Sequence, residues 1–577
     1  MKSLPVVFSA ACVSRRGIAR VAGCLHHTTR RTFSVLAILV ALTGMLCVAA
    51  AATGDDATRE RRYRRFQEKR QEILHGMQSD LLAVEQWCLD REMADAAAEV
   101  RRNAEAFAEA ESRGSLPRLA AAPISENPSR EDQQWQMQLR RHQTERGVEM
   151  YRAARDALRA GFPSLAYAMV SDVVRLDADH RQARSVLGYE HFTDPARRDE
   201  PHYSGEWVSP FEARMRRGPE PKVDHELYGW IPASDAARYE QGLRPWKGDW
   251  ISAAKESELR RDFKNAWDVR SEHFLIRTNV SLEAAVRLSR HLEIFHDWLQ
   301  QNLAGFFETP AVMRDRLEKT DNGRRSREHA APMEVHFFAT RDEYNRRVSG
   351  KVPPTIETNG LYWQEDRRCY LFARPDDDDL STLFHEATHQ ILDLHTTADR
   401  LTAARARARK LRQKGASQWI LCEKSNFWMI EGLACYFESF TITDHGVSVG
   451  RPDFIRFESA RHRLLQPENF YYIPFRSFFG MGKDAWQGHP DLPKLYTQAS
   501  GVVHFMMHYQ DGVYRDDFVA LLAAAYRPDP TDFLSEPSFE KISGVKFEEL
   551  DSQYRLHLLQ LEDEALAVES ETGTSSP

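Results

Sequence analysis

The sequence predicts an α+β protein in which long helices flank a small mixed sheet. Three observations carry this: apolar residues at helical spacing from Arg59 to about Tyr189, strand-length runs after Trp267, and helical spacing again from Leu380 to about Tyr526. The chain has 577 residues, enough for roughly three to four ordinary domains. With 42% hydrophobic and 28% charged residues, and only 29 Gly and 26 Pro, the composition excludes collagen-like, wholly disordered and polytopic membrane classes.

Residues 1–54 hold six basic residues and no acidic one, and Phe33 to Ala52 is apolar nearly throughout. That pattern predicts a signal peptide cleaved between Ala49 and Gly54; the rival is an uncleaved anchor through residues 32–54, since the run matches the roughly 20 residues a spanning helix needs. Either way the rest of the chain is expected outside the cytoplasm: periplasmic, secreted or membrane-anchored. Net charge is -7, and -13 without that basic leader. So acidic a protein is unsuited to neutralising phosphates, and no nucleic-acid partner is expected. Cys88, Cys369, Cys422 and Cys435 follow the leader without a CxxC pair, which gives no support to a thiolate zinc knuckle; buried free thiols are expected, with disulfides among the four as the alternative.

Over residues 55–113, Phe66, Ile73, Met77, Leu81, Val84 and Cys88 recur at helical steps, so one or two long amphipathic helices are expected. Pro117, Pro123 and Pro128 mark a linker. Residues 132–195 read as a helical hairpin turning at Gly161-Phe162-Pro163, with Tyr151, Ala154, Leu158, Ala166, Met169, Val173 and Leu176 inside. It resembles a single tetratricopeptide-type hairpin. One repeat cannot stack a solenoid, so a packing module is expected, with docking of a protein partner as the alternative. Residues 196–266 contain an echo, Gly205-Glu-Trp207-Val-Ser209 and Gly248-Asp-Trp250-Ile-Ser252, which predicts duplicated small units with Trp rings filling local cores. Residues 267–560 begin with predicted strands at 273–278, 333–338, 360–363 and 369–373, separated by helices at about 281–304 and 341–348. The tail, 562–577, is polar and expected to be disordered.

The chemistry centres on His385-Glu386-Ala387-Thr388-His389. On a helix, residues four apart share one face about 6 Å apart along the axis, so both imidazoles can meet one metal. Glu386 directly follows the first histidine, where its carboxylate can reach water rather than the metal. Asp379 and Ser381 are candidate caps for this helix. A catalytic zinc keeps three protein ligands and an open position. Trp428-Met-Ile-Glu431-Gly432-Leu-Ala434-Cys-Tyr436-Phe-Glu438 offers Glu431, a carboxylate in an apolar helix that needs a cation or hydrogen-bond partners.

Together these segments resemble the gluzincin metallopeptidases, the peptidase MA-like group that includes thermolysin-like enzymes. In that group a helix bearing H-E-x-x-H is joined by one bearing W-x-x-E-G-x-A-x-Y-x-E, matched here at Trp428, Glu431, Gly432, Ala434, Tyr436 and Glu438. The resemblance spans about residues 360–526, and the closest likeness is to uncharacterised exported bacterial proteins with such a domain. It implies a thermolysin-like zincin domain over 267–560, one zinc ion per chain held by His385, His389 and Glu431, and hydrolysis of peptide or protein substrates. In the aminopeptidase branch a later Tyr assists the oxyanion; Leu495-Tyr496 through Met506 looks like that helix and nominates Tyr496. No G-x-M-E-N precedes the histidines, so recognition of free amino termini is not implied. Glu386 would take a proton from water and pass it to the leaving amine. Substrate is expected as a strand added along Cys369–Ala373. The alternative is an inactive protein of the same fold serving in binding or assembly outside the cytoplasm.

Asp393, four after His389, and Glu438, seven after Glu431, stand where each can orient an imidazole. His504 and His508 are read as packing histidines, with a second metal pair or an oxyanion donor as the rival. The Asp376–Asp379 run lacks the spaced ligands of a calcium loop, and the basic stretch Leu401–Lys414 reads as a solvated helical insertion.

Overall fold

The computed structural model describes residues 7–8, 56–112, 129–200, 203–318, 331–353, 357–374, 380–411, 420–443, 446–529 and 536–573. Most of the leader, the proline-bearing linker and the Asp376–Asp379 run lie outside these. Among the described residues no helix is long and apolar enough to cross a membrane. The fold is mixed α+β and mostly helical, with small sheets.

Helices α1 (Asp56–Leu89) and α2 (Ala94–Ser112) form the predicted amphipathic pair, with Ile73, Met77, Leu81, Val84 and Cys88 buried. Helices α3 (Arg130–Arg159) and α4 (Pro163–Leu176) form the predicted hairpin. Ser129 and Asp132 cap α3 reciprocally, Gly161 turns the chain at φ +92°, and Pro163 opens α4. The inner stripe is buried as expected. These helices share one continuous apolar core with one face of the sheet and with the helices that follow it, from Tyr63 to Leu561. Polar ties run the same way: Arg59 pairs with Asp517 at 2.6 Å, and the Ser164 amide donates to Asp516 at 2.8 Å.

Among the described residues the repeated small unit occurs three times, not twice. Hairpins Glu190–Phe192/Glu206–Val208, Lys222–His225/Gly229–Pro232 and Leu243–Trp246/Asp249–Ser252 are each followed by a short helix. The middle copy escapes the sequence echo because its glycine directly precedes Trp230 and Pro232 replaces the capping serine. Ser209 and Ser252 each accept the amide three residues on. The expectation for the tryptophans is corrected: Trp207, Trp230 and Trp250 are half-buried, edge-on to His191, Phe211 and Tyr239, while Val208 and Ile231 fill the interior.

Strands β1 (Trp267–Arg270), β2 (Phe274–Thr278), β3 (Met333–Phe338), β4 (Leu361–Trp363) and β5 (Arg368–Phe372) form one sheet in the order β4-β5-β3-β2-β1. The β2-β3 and β3-β5 pairs are parallel and the others antiparallel; Val7–Phe8 adds antiparallel to the outer edge of β4. Strand β5 is paired on both sides, so it has no open edge for a peptide. Helix α5 (Leu282–Asn302) crosses from β2 towards β3.

Beyond the sheet lie α6 (Ser381–Lys410), α7 (Trp428–Phe437), α8 (Ile455–Leu465), α9 (Leu492–His508), α10 (Arg515–Tyr526) and α11 (Phe547–Gly573). Two expectations are corrected here. The basic stretch is no separate insertion: it continues the H-E-x-x-H helix to Lys410, with Ala403, Ala404 and Ala408 buried. The tail is helical as far as Gly573, because Leu558, Leu561 and Ala565 extend a buried stripe and Arg461 binds Glu562 at 2.8 Å.

Candidate metal centre

Helix α6 enters the core directly, every residue from Thr382 to Leu392 being buried. Asp379 lies outside the described residues and Ser381 is the first helical residue; the N-cap, Leu380, makes no side-chain bond. All ten residues of α7 are buried too. Gly432 lets α7 approach α9 so closely that a Cβ there would stand 2.8 Å from the Ala499 carbonyl oxygen.

This packing brings His385, His389 and Glu431 together. His385 Nε2 lies 3.3 Å from His389 Nε2, and Glu431 Oε2 lies 3.9 and 3.8 Å from those two atoms. The centre of that triangle is about 2.1 Å from each corner, the bond length of zinc to imidazole nitrogen or carboxylate oxygen. Glu431 Oε2 is buried without a hydrogen-bond partner, a costly state that a cation at the centre would relieve. Burial pushes the Glu431 carboxyl up to about 8, although Tyr496 donates a hydrogen bond to it. Burial, with His385 adjoining, drives His389 well below the usual imidazole range, leaving it neutral as a ligand must be. The three residues present fit a zinc ion.

Glu386 is fully buried and its Oε2 accepts the Tyr362 amide of β4 at 2.6 Å. A Cβ on Gly360 would come within 3.0 Å of the Glu386 Cγ, so the strand passes close beneath the carboxylate. Tyr496 stands beside the third ligand, its hydroxyl donating to the Glu431 carboxylate.

Behind His385, Nδ1 donates to Glu438 Oε1 at 2.9 Å. Burial alone would raise the Glu438 carboxyl; Arg456 and His385 outweigh it and bring it down to about 2. Asp393 does not orient His389. Its carboxylate takes the Tyr362 hydroxyl at 2.6 Å, the Gln364 amide at 2.8 Å and the Arg400 guanidinium, because α6 runs on far enough to supply Arg400. Arg456 carried no sequence signal, since it lies across the short hairpin Thr441–Thr443/Gly446–Ser448 from α7.

His504 and His508 are packing histidines. His504 Nδ1 lies 2.9 Å from His557 Nε2, His504 Nε2 donates to the Gly450 carbonyl at 2.8 Å, and His508 Nε2 is 2.7 Å from the Tyr436 hydroxyl. Burial lowers His504 to about 4 and holds His508 and His557 well below the usual range. An unfolded chain would protonate all three near 6.5. Below that pH the unfolded state binds more protons, so stability is lost as pH falls from about 6.5 towards 4. His389 acts in the same sense and Glu431, with its raised carboxyl, in the opposite one. Melting temperatures of chelator-treated protein between pH 7 and 4 are expected to fall steeply; a flat profile would contradict this.

The group His273, Glu293 and His296 is a poor metal site. His273 Nδ1 donates to Glu293 Oε2 at 2.6 Å, and the His273 and His296 rings stack 3.8 Å apart. Stacked rings point their in-plane lone pairs in parallel rather than at one ion. The four cysteines after the leader are free and buried. Comparison of the chain with family models, curated proteins and solved structures found no match.

Proposed function

We propose that the chain is a zinc-dependent peptidase of the gluzincin kind, acting outside the cytoplasm on peptide or protein substrates. The reading includes a thermolysin-like domain over residues 267–560 and a tetratricopeptide-like hairpin over 132–195. The observation that carries it is the convergence of His385 Nε2, His389 Nε2 and Glu431 Oε2 on one point at zinc-bonding distance. Bound zinc supplies a Lewis acid that polarises a carbonyl and makes water acidic enough to react near neutral pH. Glu386 takes the water's proton and returns it to the leaving amine. Tyr496 has a hydroxyl to offer a developing oxyanion once it turns from Glu431. A peptide would pair with the outer edge of β4 rather than with the enclosed β5, taking the place of the leader strand Val7–Phe8, which lies along that edge and which signal cleavage would remove.

A second reading has one observation in its favour. His385 and Glu386 are 0% exposed, and His389 and Glu431 1%; a centre so enclosed also suits a zinc-holding protein without turnover that serves in binding or assembly. The two separate on the full-length chain. Metal analysis should find one zinc per chain, lost in His385→Ala, and casein or a quenched peptide library should be cut, with cutting abolished by chelation and restored by zinc. Stoichiometric zinc without cutting selects the second reading; absence of zinc rejects both.

A further inference from the structure

We propose that Arg456 is a positioning residue of the metal centre, acting through Glu438 to fix the ring plane and tautomer of His385. The inference rests on the metal reading above and extends it to a residue outside the H-E-x-x-H and Glu431 helices.

Glu438 ends α7, the chain turns back through the hairpin Thr441–Thr443/Gly446–Ser448, and α8 begins at Ile455. Its second residue, Arg456, therefore returns to the end of α7. There the guanidinium grips the carboxylate with both prongs: Nε donates to Glu438 Oε2 and Nη2 to Oε1, each at 2.7 Å. The same Oε1 accepts Nδ1–H of His385 at 2.9 Å, and the Cys435 thiol also donates to this carboxylate. Both partners of the ion pair are nearly enclosed, with side chains 13% and 10% exposed.

Each link has a geometric consequence. A carboxylate accepting Nδ1–H leaves the His385 lone pair on Nε2, the atom that faces His389 and Glu431. A buried carboxylate holds that position only if its charge is paired and its other lone pairs are filled. The planar fork of arginine does both and sets the carboxylate plane, which the single point charge of lysine cannot. A mere clamp between α7 and α8 would stabilise the fold without touching the metal.

The test is zinc affinity of the full-length chain, measured by competition with a chelator, beside the melting temperature of the metal-free protein. Arg456→Gln and Glu438→Gln are each expected to weaken zinc binding roughly ten- to hundredfold. Arg456→Lys should recover only part of the loss. The double variant should bind zinc no worse than the weaker single one, because both changes break the same chain. Folded Arg456 variants with wild-type zinc affinity, or losses that multiply in the double variant, would overturn the inference while leaving the metal reading intact. Should Arg456→Gln fail to fold, Arg456→Lys against Glu438→Gln makes the same comparison. A wild-type chain that binds no zinc overturns the metal reading, and the inference with it.

Discussion

Glu386→Gln is expected to bind zinc as tightly as the wild type and to cut peptides roughly 10²–10⁴ times more slowly. The substitution keeps shape and loses only basicity. A glutamine carbonyl still accepts the Tyr362 amide, now 2.6 Å from Glu386 Oε2, so the fully buried side chain stays in place over Gly360. No atom of the His385, His389 and Glu431 triangle changes. What disappears is the group that takes the water's proton and gives it to the amine, two transfers through one carboxylate. The readout is kcat/KM on a quenched peptide, with zinc content and melting temperature measured beside it. Wild-type activity in this variant would remove Glu386 from the chemistry. His385→Ala is the contrasting change: it should lose activity by losing zinc.

The parts of this site that were legible in the sequence are the local ones. His385 and His389 are one helical turn apart, so helix geometry alone puts them together. Glu431 was nominated by the resemblance of its helix to the metallopeptidase motif, with the need of a carboxylate in an apolar helix for a partner in support. The strand Met333–Phe338 and the helix Arg341–Val348 likewise stand where their own periodicity places them. What escaped depends on register and on neighbours distant in the chain. The Tyr362 amide finds Glu386 because β4 is three residues long and passes beside α6 at Gly360, a contact no periodicity encodes. Arg456 finds Glu438 across a hairpin of three-residue strands, too short to announce itself. Asp393 stood at the right spacing for His389, but helix continuity supplied Arg400 as a competing partner, and a charge pair outbids a neutral imidazole. The middle hairpin unit was hidden by a one-residue change in glycine placement.

Gly432→Val is expected to be the most damaging single change to the scaffold around the ligands. A Cβ at this position would stand 2.8 Å from the Ala499 carbonyl oxygen, 3.0 Å from its carbonyl carbon and 3.0 Å from its Cβ. Two of those three atoms are backbone, so no side chain can swing aside; α7 and α9 must separate. Overpacking of this kind costs about 1–3 kcal/mol, and the gain from replacing a helical glycine, up to about 1 kcal/mol, does not offset a branched side chain. The consequence for the metal is direct. Glu431 is the preceding residue on α7, and the hydroxyl that holds its carboxylate belongs to Tyr496, one turn before Ala499 on α9. Parting the helices moves both ends of that bond, so the Glu431 oxygen leaves the position 3.8 and 3.9 Å from the imidazole nitrogens. The expected result is a loss of about 2–3 kcal/mol in stability, together with at least tenfold weaker zinc binding. Gly432→Ala adds that same Cβ and meets the same backbone atoms, so it should weaken the fold and zinc binding in the same direction, by less than valine because it lacks the two γ carbons. Melting curves and chelator competition on the two variants give the measurement. A valine variant that melts and binds zinc like the wild type would show that the helices are not held at this contact.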